Sequence, residues 1–260
     1  MLGIIAFPAV YLCIIYGQNS LITAALAMLA IHCLNRHQIL AGLLAGLLAT
    51  KPQLAVLFPL AFLAGSYWRA FTAAAATQLM LIICSLHYLG PATWRAFLGS
   101  ASQPRIWLES GMLSWEKMIS VFAFCRILGA DTTLAYVLHG LVALGFIAAM
   151  LHVWRRSNDM HLRGSSLILA TLATSPYVQE YEQVWLAIPL LLLTREGVLR
   201  GWLPWQREAL LLGWLTPLFN WMLTAPEGQQ ASPVTLIVEL ALLAVTLRAM
   251  RRPLATMTMT

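Results

Sequence analysis

The chain has 260 residues, 60% of them apolar and only 10% charged, with a mean hydropathy of +0.76 and a formal charge of +6. An ordinary soluble domain carries roughly 25% charged residues, so this composition excludes a soluble globular domain, a disordered chain and a secreted disulfide scaffold. At roughly 20 residues per crossing plus short loops, the length leaves room for about nine or ten membrane helices.

Apolar runs follow one another in chain order: Leu2–Ile15, Leu21–Leu34, Ile39–Ala49, Leu54–Tyr67, Phe71–Tyr88, Thr132–Trp154, Ser165–Val178, Val184–Leu193, Glu208–Leu223 and Val234–Leu247. They are rich in Leu, Ala, Ile and Gly, without the alternation of a barrel, and an unpaired backbone cannot sit in lipid. The expected fold is therefore all-α: a polytopic transmembrane helical bundle forming one domain over 1–260, with 253–260 as a disordered tail. The first run starts at Met1 without a basic segment and reaches Gly17 after about 15 residues, short of a full crossing and unlike a signal peptide. The expectation is that the chain begins inside a helix of something longer.

The third and fourth runs are too short to cross singly and are separated by Thr50-Lys51-Pro52-Gln53. Proline breaks a helix and biases the residue before it away from helical geometry. The pair is either one long kinked span or a helical hairpin with Lys51-Pro52-Gln53 at its tip. Charge favours the hairpin, because Arg36 and His37 precede the pair and Arg69 follows it, and cytoplasmic loops collect Lys and Arg. Continuing this alternation puts Arg36, Arg69, Arg155, Arg156, Arg163, Arg195, Arg200, Arg207, Arg248, Arg251 and Arg252 inside. Lys51, Arg95, Arg105, Lys117 and Arg126 fall outside. The +6 charge thus sets orientation and does not call for nucleic acid.

The outer segment 89–131 opens with Gly90-Pro91, which ends the preceding helix, and intersperses Trp94, Phe97, Trp107 and Trp115 with basic residues. Tryptophan prefers the headgroup level. This segment is either an interfacial anchor or a lid over a lipid-linked ligand. Ile119, Phe122, Ala123, Arg126 and Ile127 indicate a short amphipathic helix before Gly129.

Cys13, Cys33, Cys84 and Cys125 have neither CxxC nor zinc spacing, the histidines are scattered, and no Walker or GxGxxG loop occurs. No metal site or cofactor is expected. Polar residues remain at three outer helix ends: Gln18-Asn19-Ser20, Lys51-Pro52-Gln53, and Ser175-Pro176-Tyr177 with Glu180-Tyr181-Glu182. Gln18 and Asn19 either cap the second span or line a pocket. Lys51 either snorkels to headgroups or holds an anion beside free helical N–H groups. Glu180 and Glu182 are either solvated loop acids or part of the same pocket. Glu239, deep in the last run, pairs with a polar neighbour or faces the bundle interior.

Gly17-Gln18-Asn19-Ser20-Leu21, then Leu40-Ala41-Gly42-Leu43-Leu44-Ala45-Gly46 leading into Lys51-Pro52-Gln53, resembles glycosyltransferase family 87. These are membrane enzymes of the GT-C class related to polyprenyl-phosphate-mannose-dependent mannosyltransferases. The resemblance extends to Gly90-Pro91 with Trp94, Lys117-Met118 with Ser120-Val121-Phe122, and Ser175-Pro176-Tyr177. It implies transfer of a hexose, mannose by kinship, from a polyprenyl-phosphate donor to a lipid-linked or glycan acceptor. The reaction would occur on the extracytoplasmic face of the plasma (inner) membrane. It assigns Lys51 to the phosphate and makes Gln18, Asn19, Gln53, Tyr177, Glu180 and Glu182 substrate-binding residues. Where the family commonly has Asp-Tyr-Asp, this chain has Glu180-Tyr181-Glu182, which keeps the charges on longer side chains. The family's presumed catalytic aspartate lies in a first external loop, and Asp131 and Asp159 do not match it. The expectation is that this loop belongs to a missing N-terminal part, the chain being a truncated, inactive copy or one read from a misplaced start. A different class of function for the same pocket is a non-enzymatic flippase or transporter component. Such a protein should show paired broken helices, and only one broken hairpin is evident.

Reporter fusions at Asn158 and Gln229 should report opposite sides of the membrane in this topology.

Overall fold

The structure is a computed structural model that describes residues 6–223 and 233–252. The start of the first apolar run, most of the Pro226–Pro233 loop and the 253–260 tail lie outside the described residues. The described residues are all-α apart from one isolated β-bridge. In chain order the α-helices are α1 Pro8–Ile15, α2 Ser20–Cys33, α3 Gln38–Gly46, α4 Pro52–Ala55, α5 Leu57–Ala64, α6 Trp68–Gly99 and α7 Gln103–Ser110. They continue with α8 Val121–Ile127, α9 Thr132–Arg156, α10 Met160–Thr174, α11 Ala187–Arg200, α12 Gln206–Leu223 and α13 Val234–Met250. Three 3₁₀ turns, Leu47–Thr50, Trp115–Lys117 and Glu180–Leu186, join them.

The helices follow the apolar runs, with shifts where local chemistry intervenes. The run Ser165–Val178 stops being helical at Ser175, where the chain becomes extended ahead of Pro176. Gly90 has φ 78° and ψ 165°, a left-handed geometry open to glycine, and with Pro91 it kinks α6. The amphipathic helix anticipated before Gly129 is α8, whose N-cap Ser120 accepts from the Ala123 N–H at 3.2 Å. By length and composition, two stretches can cross a membrane: Trp68–Ser110 and Thr132–Arg156. Their outward faces are apolar, with Leu79, Met80, Ile83, Leu141 and Leu144 all exposed, as a lipid-facing surface requires. The other helices are shorter; α2 has 14 residues and so rises about 21 Å, against a hydrocarbon core of about 30 Å.

The hairpin reading holds. Asn35 precedes the first arm, Tyr67 follows the second, and the Tyr67 hydroxyl donates to Asn35 Oδ1 at 2.5 Å. Both arms therefore return to one end, with Lys51 at the other. Glycine permits the first arm, α3, to lie against α6. A Cβ at Gly42 would come within 2.3 Å of the Ala70 carbonyl oxygen, and one at Gly46 within 2.5 Å of Thr77 Cβ. Gly42 and Gly46 form a small-xxx-small stripe that lets two backbones touch where lipid supplies no hydrophobic drive for association.

The arginine-rich segments gather at the end opposite Lys51. Buried Arg163 donates to the Trp154 carbonyl at 2.7 Å and to the Tyr67 hydroxyl at 2.9 Å. Asp159 pairs with Arg200 at 2.8 Å, and Arg252 reaches the Gly201 carbonyl at 2.7 Å and Glu196 at 3.4 Å. The separation of basic loops from the Lys51 end matches the sequence reading. His139 is packed, with Nε2 3.0 Å from the Thr174 carbonyl, and Glu239 is buried inside the bundle.

Gly42→Val should lower the stability of the detergent-solubilised protein by about 3 kcal/mol, because a carbonyl oxygen cannot yield as a side chain can. Gly145→Ala, which meets open space, should leave the thermal transition unchanged or raise it.

Candidate functional site

Proline at the first position of α4 sets the backbone around Lys51. Lys51 adopts φ −133° and ψ 75°, breaking the helix between the 3₁₀ turn Leu47–Thr50 and α4. Its side chain does not snorkel to headgroups; Lys51 is 8% exposed. Nζ donates to Ser20 Oγ at 2.6 Å and to Glu182 Oε1 at 3.0 Å, and lies 5.0 Å from the centre of the Tyr181 ring. Two of the three ammonium protons are thus used, and an aromatic face lies over the ammonium group. Glu182 in turn accepts the Gln179 N–H on Oε2 at 3.1 Å.

Glu180, two residues earlier on the same 3₁₀ turn, faces another way. Its Oε1 accepts from the Tyr16 hydroxyl at 2.5 Å, while its Oε2 is buried without a hydrogen-bond partner among the described residues. The two glutamates are 3% and 2% exposed, so they are not solvated loop acids. Tyr16 and Tyr181 stack with centroids 5.9 Å apart, and Lys117 lies 5.5 Å from the Tyr16 ring on the outer side. Two aromatic rings lie between two cations, in the order Lys117, Tyr16, Tyr181, Lys51. The loop carrying Lys117 is held to the 177–182 segment by the Ile119 N–H, which donates to the Val178 carbonyl at 3.0 Å, and by the bridge between Met118 and Gln179.

Three separate segments therefore meet at one end of the bundle: residues 16–20, the hairpin tip, and 179–182. Of the residues expected from sequence, Lys51, Glu180 and Glu182 come together. Gln53 is half-buried beside Lys51 in the chain. Gln18 and Asn19 have exposed side chains, and Asn19 stands at the N-cap of α2 without a side-chain cap bond. Gly17 (φ 60°) turns the chain here, and the Gln18 N–H donates to the Cys13 carbonyl at 3.0 Å. Tyr177 packs instead with the small apolar cluster of Leu108, Met118 and Phe122. Ser20 and Tyr181 carry no assigned role in the sequence reading, and Tyr16 does not figure in it. Ser20 lies within the Gly17–Leu21 motif, and Tyr181 between the two glutamates, but nothing in the spacing ties Tyr16 to Glu180.

The Tyr16 phenol, bonded to Glu180, is pushed up to about 12, and the Tyr181 phenol, chiefly through burial, also to about 12. Chemically, the site offers, among the described residues, a buried cation with one uncommitted proton, a carboxylate with one uncommitted oxygen, and aromatic faces beside them.

Among the described residues the fold is all-α, with two long helices, α6 and α9, whose exposed faces are apolar, and with a buried polar site at the hairpin tip. The family model for glycosyltransferase family 87 matches residues 1–176; the chain belongs to that family and is a glycosyltransferase. The matched stretch includes Ser20 and Lys51 and ends at Pro176, just ahead of Glu180 and Glu182. Comparison with curated proteins and with solved structures gives no match.

A phenol whose pKa rises on folding contributes stability that is complete below its ordinary value of 10.0 and is lost as pH climbs toward about 12. Glu180→Gln should move the Tyr16 titration back toward 10.0, read from phenolate absorbance against a Tyr16→Phe control.

Proposed function

We propose that this glycosyltransferase moves a hexose, mannose by family kinship, from a polyprenyl-phosphate donor to a lipid-linked or glycan acceptor. The reaction takes place at the extracytoplasmic face of the plasma (inner) membrane. The observation that carries the reading is the burial of Lys51 with Ser20, Glu182 and the Tyr181 ring at the end of the bundle opposite the arginine-rich segments. By the positive-inside rule the arginine-rich end is cytoplasmic, which puts Lys51 outside, where a lipid phosphate is the available anion.

In the transfer step, an acceptor hydroxyl oxygen forms a bond to the anomeric carbon. The bond from that carbon to the phosphate oxygen breaks, and the lipid phosphate leaves with the electron pair. The hydroxyl proton passes to a carboxylate. Lys51 takes a phosphate oxygen with its third proton once the Tyr181 ring moves aside. It then offsets charge that grows on the leaving group, an interaction strongest where water is excluded. Glu182 and Ser20 hold the ammonium in place, acting through Lys51. The open oxygen of Glu180 accepts from a sugar or acceptor hydroxyl. Gln18, Asn19 and Gln53 border this end and are available to the lipid phosphate or glycan from the aqueous side, and Tyr177 steadies the loop that carries Lys117.

Membranes containing the protein, given radiolabelled polyprenyl-phosphate mannose and the corresponding glucose donor, test the reading by product formation. Lys51→Ala leaves Glu182 buried without its partner, a loss of about 3–5 kcal/mol that can unfold the site. The double variant Lys51→Met with Glu182→Gln removes both charges and should keep the fold. Its transfer rate should fall by about 100-fold or more. Transfer at the unsubstituted rate in the folded double variant rules Lys51 out as the phosphate contact.

A further inference from the structure

The opposite end of the hairpin holds a second polar site that sugar transfer does not use. A cavity of about 760 Å³ opens between the start of α3 and the start of α6. Arg36, His37 and Arg69 line it, with no acidic residue among its lining residues. Neither Arg36 nor Arg69 forms an ion pair among the described residues. Both helices begin here, side by side and in the same direction. Neither N-cap, His37 nor Tyr67, makes a side-chain cap bond, and neither first turn carries an acid. The free N–H groups of the two helix starts therefore add to the positive potential of the arginines.

The wall behind the cavity is charged as well. Asn35, another lining residue, accepts from the Tyr67 hydroxyl at 2.5 Å, and that hydroxyl accepts from Arg163 at 2.9 Å. Arg163 is 6% exposed and its guanidinium lies between the Tyr67 and Trp154 rings, at 5.6 and 5.5 Å. Its partners are carbonyl, amide and hydroxyl oxygens, and it forms no ion pair among the described residues. A buried guanidinium without a carboxylate is costly unless an anion compensates it. Below the basic rim the cavity is apolar, and Ile39, Leu40 and Leu43 are all exposed along α3.

We propose that this cavity seats an anionic phospholipid, its phosphate on Arg36 and Arg69 at the helix starts and an acyl chain along Ile39, Leu40 and Leu43. The basic residues recognise the headgroup and the apolar wall recognises the chain, so a lipid satisfies both halves of the cavity where a free phosphate satisfies one. Basic pockets between helices commonly select anionic headgroups in this way. The site sits at the foot of the hairpin that carries Lys51, on the other side of the bundle from it. Its occupancy is independent of whether sugar transfer occurs.

Native mass spectrometry of the detergent-solubilised protein, titrated with phosphatidylglycerol or phosphatidylcholine, reads the site directly. Phosphatidylglycerol should bind about tenfold more tightly. The variant Arg36→Gln with Arg69→Gln, both exposed positions, should bring the two lipids to equal affinity at an unchanged melting temperature. Arg155→Gln, an exposed arginine at the same end but outside the cavity, should keep the preference. Equal binding of the two lipids by the unsubstituted protein overturns the proposal. So does loss of the preference in Arg155→Gln, which marks a diffuse charge effect. Displacement of the lipid by millimolar inorganic phosphate overturns it in favour of a free-phosphate site.

Discussion

A buried ammonium group must be neutralised and hydrogen-bonded, and much of the site follows from meeting that demand at Lys51. The group is out of water because the hairpin tip is folded into the bundle. An unpaired charge there costs several kcal/mol. Glu182 supplies the countercharge, Ser20 a hydroxyl and Tyr181 an aromatic face. Each comes from a segment that must therefore be brought to the tip: the start of α2, and the 3₁₀ turn that follows the extended stretch after α10. The extended stretch is held in turn by the capping of Glu182 on the Gln179 N–H and by its pairing with the loop at Met118 and Ile119. The second glutamate needs its own partner and finds it in Tyr16 at the end of α1. The pairings of Lys51 and Glu180 thus fix where residues 16–20, the hairpin tip and 179–182 meet.

At the other end of the same hairpin the balance runs the opposite way. Arg163 is buried among neutral acceptors, and the cavity in front of it is basic. The bundle is electrostatically polar: compensated charge at the tip of the hairpin, uncompensated positive charge at its foot. Between the two, Gly42 and Gly46 bring α3 against α6 so closely that the separation of these two helices is set by close backbone approach.

Much of the fold was legible because it rests on local signals. Apolar runs mark helices, Pro52 marks the break, Gly90-Pro91 marks the kink in α6, and the placement of arginines separates the two ends. The hairpin came from charge placement, and the Tyr67–Asn35 contact bears it out. The site was legible only in outline. Lys51, Glu180 and Glu182 were picked out as charges too costly to leave unused at membrane depth. Their pairing was not readable, since Lys51 and Glu182 are far apart in sequence and no local pattern links them. Tyr16 escaped notice because a tyrosine at a helix end is unremarkable until a carboxylate is seen against it. Gln18 and Asn19, suggestive by type and position, have exposed side chains because Gly17 turns them outward. Tyr177 is drawn off by the apolar cluster under the 103–128 loop.

The order of the partners along the chain has a consequence for biosynthesis. Lys51 and Ser20 leave the ribosome early, whereas Glu182, the countercharge, follows after α6, the outer loop and two more long helices. Until that acidic turn docks, the hairpin tip holds a cation without its carboxylate partner. The site is closed by one of the later segments to be made, so the charge pair at the hairpin tip is completed only after Glu182 has been synthesised.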